Sequence, residues 1–497
     1  MALLALALLA PPRALGQWTP QATTLFNYCL ANPTECSISV DHITGGWRRN
    51  YHGTRLNVLA STFKLIPLIA YGEAVASGRL NPNMVVPRDQ WARFWTGQDG
   101  GALNNAWNRL GKPQSVTLDQ MVGAMLQESD NATPDYLLDL LGAPFMQDVI
   151  NRYAPGYLDL PQSIAGLFTS WMGDAASPFL GSTNVTEYSG IESFGYRKEV
   201  SGLFGMLHDP TAIQAQRHFV CATLPWEAPP PSCTFASGIT EQVQRPLETG
   251  YFPKSNTRTY TGLMTGLLNR TLLPPHVQAV IEPHLEWWLS GAAGQTFRRY
   301  GAKGGSLATG QGDTVLTWTS YVETKQNALG STHGTQVVVT IHLKDPNLGS
   351  NALQALIPGV THFADALATD PLFAATVRTG LPDDTLLPDL IARYVNLGPD
   401  FPRASPTQVE VLNIGTAPTG RSTTLSLFLS NTSTIPPGAT PSFSGQVPPL
   451  QPGHSVTLTF PLWIGGKYLI SVVDPQNLIV ESDKQNNVQF EKLLALR

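Results

Sequence analysis

Ser61-Thr62-Phe63-Lys64 opens a helical stretch that continues through Leu65-Ile66-Pro67-Leu68-Ile69-Ala70-Tyr71 to about Ser77. Of the ten lysines in the chain, only Lys64 has a serine three positions before it. Residues i and i+3 share a helix face, so the Lys64 amine comes within reach of the Ser61 hydroxyl. A serine at a helix N-terminus also sees oriented backbone N–H groups, which favour developing negative charge. A neutral amine beside it takes up its proton and makes it a nucleophile. Alone, the pattern suits a solvated helix face equally well.

Two later stretches alter that reading. Thr117-Leu118-Asp119-Gln120 is a capping box opening a helix that buries Met121, Val122, Met125 and Leu126. The next helix is predicted from Thr133, with Pro134 in its first turn, to a stop at Gly142. Ser129-Asp130-Asn131 therefore falls in a short interhelical loop. Lys303-Gly304-Gly305-Ser306 lies in the first of three strand-like segments near 299–309, 314–324 and 336–344. A serine–lysine helix start, a Ser-Asp-Asn loop and a lysine–glycine strand, in this order, are the elements of penicillin-recognising serine enzymes.

On these motifs, residues 24–368 resemble class A β-lactamases and their serine-hydrolase relatives. The resemblance implies an α/β (α+β) fold, with a helical subdomain beside an antiparallel sheet flanked by helices and the cleft between them. It implies that Ser61 is acylated, with Lys64 as its base or proton relay. Ser129 would pass a proton to the leaving group, Asn131 would hold substrate and Lys64, and Lys303 would supply positive potential. Gly305 and Ser306 would line the substrate, the N–H groups of Ser61 and Ser306 forming the oxyanion hole. The sequence departs from the family at Gly304, which stands where a Thr or Ser hydroxyl is expected. The family also places a deacylating glutamate after Ser-Asp-Asn, yet no glutamate occurs between Asn131 and Glu187. Glu187, Glu192 and Glu199 are the substitutes the sequence offers. Pro67 is expected to bend the nucleophile helix or free one carbonyl.

The rest of the chain sets the context. Its 497 residues, by length, suit about three domains. A net charge of -5, 13% charged residues and no basic run exclude nucleic acid as a partner, while 42% apolar residues are ample for a core. Ala2 to Ala10 is an apolar run broken by Pro11-Pro12, and Ala14-Leu15-Gly16 supplies small residues, so 1–16 reads as a secretory signal peptide. No basic residue precedes the run, and no segment is long and apolar enough to span a bilayer. The expected location is secreted or periplasmic, in the cell envelope. Four cysteines fit export, with the local pairs Cys29/Cys36 and Cys221/Cys233 favoured. No spacing suggests a metal, and no cofactor is expected.

The catalytic domain is placed at 17–368 and a linker with short helical pieces at 369–400. From about Phe401 to the end at 497, Leu425/Leu427/Leu429, Val456/Leu458/Phe460 and Tyr468/Ile470/Val472 alternate at period two between turns, which predicts an Ig-like all-β sandwich. Asp474-Pro475-Gln476-Asn477, Val480-Glu481-Ser482-Asp483 and Asn486-Asn487 resemble the last strands of CARDB-type adhesion sandwiches, although the same residues also suit turn caps. The expectation is a secreted serine hydrolase acting through a Ser61 acyl-enzyme on a β-lactam or related amide or ester. The alternatives are an esterase or cell-wall peptidase on the same fold, or a slow-turnover penicillin-binding or adhesion protein. Its partner is a small-molecule or peptidoglycan-related substrate, with a surface or wall contact through the sandwich.

Overall fold

The computed structural model describes residues 18–97, 99–154, 163–169, 208–227, 252–308, 314–325, 334–345, 348, 350–383, 387–396, 407–432, 434–436, 438–461, 468–481 and 487–492. Residues 1–16, Cys233, Glu187, Glu192 and Glu199 lie outside them.

A five-stranded antiparallel sheet organises the first part. Its order is Trp47–Tyr51, Cys36–His42, Gln336–Asp345, Thr314–Thr324 and Phe297–Ala308, so the strand carrying Lys303 is at the edge. Every residue of Thr314–Thr324 is buried, because helices cover both faces there and the usual polar alternation disappears. One face packs against Thr19–Ala31, Phe363–Thr369 and Pro371–Gly380 through Leu25, Phe26, Phe363, Phe373 and Val377. Toward the other lie Thr257–Leu268 and a helical subdomain centred on Leu68, Met121, Met125, Leu137 and Ile281. The Cys29–Cys36 disulfide ties the end of the first helix to the start of a central strand. Cys221 is also disulfide-bonded.

The capping box forms as expected. Gln120 N–H donates to Thr117 Oγ1 at 3.1 Å, and Thr117 N–H donates to the Gln120 side chain at 2.9 Å. The following helix starts at Ala132, one residue early. A 3₁₀ turn covers Ala60–Lys64 and the α-helix begins at Leu65, so proline falls early in the helix, where it is best tolerated. Pro67 is thus in the first α-helical turn, where no N–H has an intrahelical partner.

The second part is a two-sheet sandwich. Leu390–Asn396, Thr407–Asn413 and Ser455–Phe460 form one sheet; Phe443–Val447, Thr423–Ser430, Tyr468–Val473 and Val488–Lys492 form the other. Leu390, Val409, Leu425, Leu427, Phe460 and Leu469 meet between them. Within 369–400, read as a linker, the structure carries two ordered elements. Helix Pro371–Gly380 buries Phe373 and Val377 in the first core, and strand Leu390–Asn396 pairs with Thr407–Asn413. That strand was illegible because Leu390, Ile391 and Ala392 are all buried and show no alternation. The acidic and amide residues near the C-terminus hold the sandwich itself. Asp474 accepts from Thr423 Oγ1 and the N–H groups of Leu478 and Ile479, while Glu481 accepts from Leu390 N–H and Asn487 Nδ2.

Candidate active site

The four residues Ser61 to Lys64 each face a different task. Leu59 C=O accepts from Thr62 N–H (3.0 Å), Thr62 Oγ1 (2.6 Å) and Thr317 Oγ1 (2.8 Å), which clamps the turn to the sheet. Phe63 is buried against Phe252, the rings edge to face at 5.9 Å. Ala60, just before the serine, takes the left-handed region at φ 43. That conformation is costly for a residue with a Cβ and is kept here by the packing around it. Gly305 of the edge strand explains the tightness. A Cβ there would lie 2.2 Å from Ser61 N and 2.9 Å from Ala60 Cβ, so only glycine lets the strand approach the nucleophile turn.

Ser129-Asp130-Asn131 is held from its middle residue. Asp130 is fully buried; it accepts from Ala132 N–H (3.1 Å), Thr133 N–H (2.9 Å) and Trp91 Nε1 (3.0 Å), capping the next helix. Ser129 is left at φ 67 and Asn131 turned back toward Lys64. The Lys64 amine reaches Ser61 Oγ at 3.2 Å, Ser129 Oγ at 3.0 Å, Ser129 C=O at 2.7 Å and Asn131 Oδ1 at 2.5 Å. Lys303 Nζ donates to the same Ser129 Oγ at 2.9 Å and to Gly304 C=O at 2.8 Å. One hydroxyl therefore bridges two amines, and Ser61 sits at the end of the chain.

Both amines lose their ordinary basicity. Burial pulls Lys64 down to about 7, against the opposing pull of the Asp130, Asp99 and Asp135 carboxylates. Lys303 is driven well below its usual range by burial, then by Lys64 beside it. A neutral amine can accept the Ser61 proton, which an ammonium cannot.

Ser61, Ser129, Asn131, Lys303, Gly304, Gly305 and Ser306 all line one cavity of about 530 Å³. Lys64 lies beneath it, fully buried. The structure thus brings together the three separate stretches of sequence. It also adds residues that the sequence reading passed over. Asp99 lines the cavity, accepting from Trp95 Nε1 and the N–H groups of Gly101 and Leu103, and burial raises its carboxyl. Its signal was the Asp99-Gly100-Gly101 turn. Glu128 lines it too, held by both arms of Arg109. The short helix Ile164–Thr169, whose first N–H groups bind Asp135, contributes Phe168 rather than a carboxylate. Among the described residues no group of His, Cys, Asp and Glu is arranged for a metal, and no helix is long and apolar enough to cross a membrane.

Residues 21–160 match the model of the β-lactamase enzyme family, and residues 387–491 match the CARDB model. No curated protein matches the chain. Among solved structures, a β-lactamase from Chitinophaga pinensis is 12% identical, over 70% of this chain and 99% of that one, with a TM-score of 0.43. The class A β-lactamase of the last common ancestor of Gram-negative bacteria is 13% identical over 70% and 98%, with a TM-score of 0.39. The TLA-1 extended-spectrum β-lactamase is 10% identical over 70% and 99%, with a TM-score of 0.41. The part of the chain that carries the Ser61 motif is thus similar to the β-lactamase enzyme family over residues 21–160, and the C-terminal two-sheet sandwich coincides with the CARDB match.

Proposed function

We propose that the protein is a secreted serine hydrolase that works through an acyl-enzyme on Ser61. The observation that carries this reading is the relay Ser61–Lys64–Ser129–Lys303, each step within 3.2 Å, at the wall of a cavity. Neutral Lys64 takes the Ser61 proton as Oγ bonds to the carbonyl carbon of an amide or ester. The carbonyl oxygen gains the negative charge, facing the N–H groups of Ser61 and Ser306. As the tetrahedral centre collapses, the bond to the leaving group breaks and Ser129 gives that group its proton. Ser129 is reprotonated from Lys64, which returns the proton taken from Ser61. Water then splits the Ser61 ester, releasing the acid and restoring the hydroxyl.

The second half-reaction is the weaker one. General-base help to water is typically worth ~10²–10⁴-fold. Among the described residues, Phe168 lines the cavity, and the two carboxylates that line it, Asp99 and Glu128, are already held by hydrogen-bond donors. This favours slow release of a penicilloyl group and relatively better turnover of esters. A fluorescent penicillin or a fluorophosphonate should label the wild type and not Ser61→Ala, with the fold of the variant checked by circular dichroism. Persistent labelling of Ser61→Ala would end the nucleophile assignment. With benzylpenicillin, a product burst followed by slow turnover is expected, and an adduct on Ser61 detectable by intact mass.

A further inference from the structure

Three tryptophans line the same cavity. Trp287 and Trp288 come from the turn Trp287–Ser290 beside the edge strand, and Trp318 from the neighbouring strand. Trp288 is their hub: its ring lies 4.5 Å from Trp287 and 5.7 Å from Trp318, which it meets edge-on. The turn is anchored at its base, where Glu286 accepts from Tyr321 O–H at 2.8 Å and Arg299 Nε at 2.7 Å. Ser290 Oγ closes it onto Trp287 C=O at 2.7 Å. Trp287 and Trp288 are nonetheless partly exposed, so the fold keeps aromatic surface open inside a concave site. Such surface is costly in water and is recovered by a flat apolar ligand.

Gly304 gives this wall its access. It stands in register with Trp318, whose buried indole backs Trp288, so on that face the edge strand puts no side chain in front of the two partly exposed rings. A hydroxyl for a substrate carboxylate is missing at the same position. Among the described residues the cationic alternatives are weak: Lys303 is buried with its charge disfavoured, and Arg109 at the cavity wall is engaged by Glu128.

Building on the Ser61 reading, we propose that Trp287 and Trp288, backed by the buried Trp318, form the specificity subsite, and that it takes an uncharged aryl group next to Gly304 in place of an anionic one. The substrate class is then a neutral ester or amide with an aromatic ring on the leaving-group side of the scissile bond.

Three acetate esters of glycolic acid test this, differing only beyond the leaving oxygen: the free carboxylate, the N-methylamide and the anilide. In the wild type the anilide should lead both others by about tenfold or more in kcat/KM, since a buried ring face exceeds the ~1.4 kcal/mol of one decade. Trp288→Ala should bring the anilide-to-methylamide ratio close to one, and Trp288→Phe should restore part of it, which separates lost recognition from misfolding. Equal rates, a preference for the carboxylate, or a ratio untouched by Trp288→Ala would each overturn the subsite. Ser61→Ala serves two purposes. Loss of turnover on all three esters supports the nucleophile reading, and continued turnover refutes it. Independently, the anilide should quench tryptophan fluorescence of Ser61→Ala at concentrations where the methylamide does not, and equal quenching by both would overturn the subsite alone.

Discussion

Acylation should follow the protonation state of Lys64. Burial brings this amine down to about 7, so it is about one-tenth neutral at pH 6, half at pH 7 and about nine-tenths at pH 8. If only the neutral amine accepts the Ser61 proton, the acylation rate constant should rise roughly tenfold from pH 6 to pH 8 and then level off. Stopped-flow burst kinetics with a p-nitrophenyl ester, corrected for spontaneous hydrolysis, measures it directly. The carboxylates shape the midpoint. Asp130, Asp99 and Asp135 favour the charged amine, so Asp99→Asn should move the midpoint toward acid. Lys64→Ala should slow acylation by ~10²-fold or more, and Lys64→Arg, permanently charged, should do no better. The same depression has a stability consequence. Between about pH 7 and the ordinary lysine range the unfolded chain binds a proton here that the folded chain does not, so this contribution to stability grows as pH rises through that window. A flat acylation profile from pH 6 to 8, or one centred near 10, would refute the assignment of Lys64 as the base.

Gly305→Ala should cost about 1–3 kcal/mol of stability and nearly all labelling, because the new Cβ would lie 2.2 Å from Ser61 N; thermal unfolding and penicillin labelling read both. Truncation after Ala368 strips the helix that buries Phe373 and Val377, so it should lower the melting temperature more than a stop after Asp383, which keeps it. His342 is buried, and burial pulls it down to about 3. Between about pH 3 and 6.5 the unfolded chain binds the proton and the folded one does not, so stability should rise with pH in that window, and His342→Leu should flatten this limb in urea titrations.

Elements that depend on local chemistry are legible in the residues that form them. The Thr117–Gln120 capping box and the period-two strands after residue 401 are set by neighbouring residues, and each forms as read. The three motif stretches were equally legible, because each places its polar residues at a spacing that a helix start, a loop or a strand requires. Other features needed the whole fold. Helix Pro371–Gly380 has its packing partners far along the chain, and the burial of Leu390, Ile391 and Ala392 erased the alternation that would have marked strand Leu390–Asn396. Asp130 became legible as a buried cap only once Trp91, 39 residues earlier, lay against it. The basicity of Lys64 is likewise a tertiary property: its sequence neighbours are apolar, but its burial and its opposing carboxylates come from distant segments. The same holds for the tryptophan wall, where Trp287 and Trp288 meet Trp318 of a later strand around one cavity only once the chain is folded. Local hydrogen bonding and periodicity act over a few residues and can be read from them. Desolvation and cavity shape depend on which distant surfaces meet, and that is set by the complete fold.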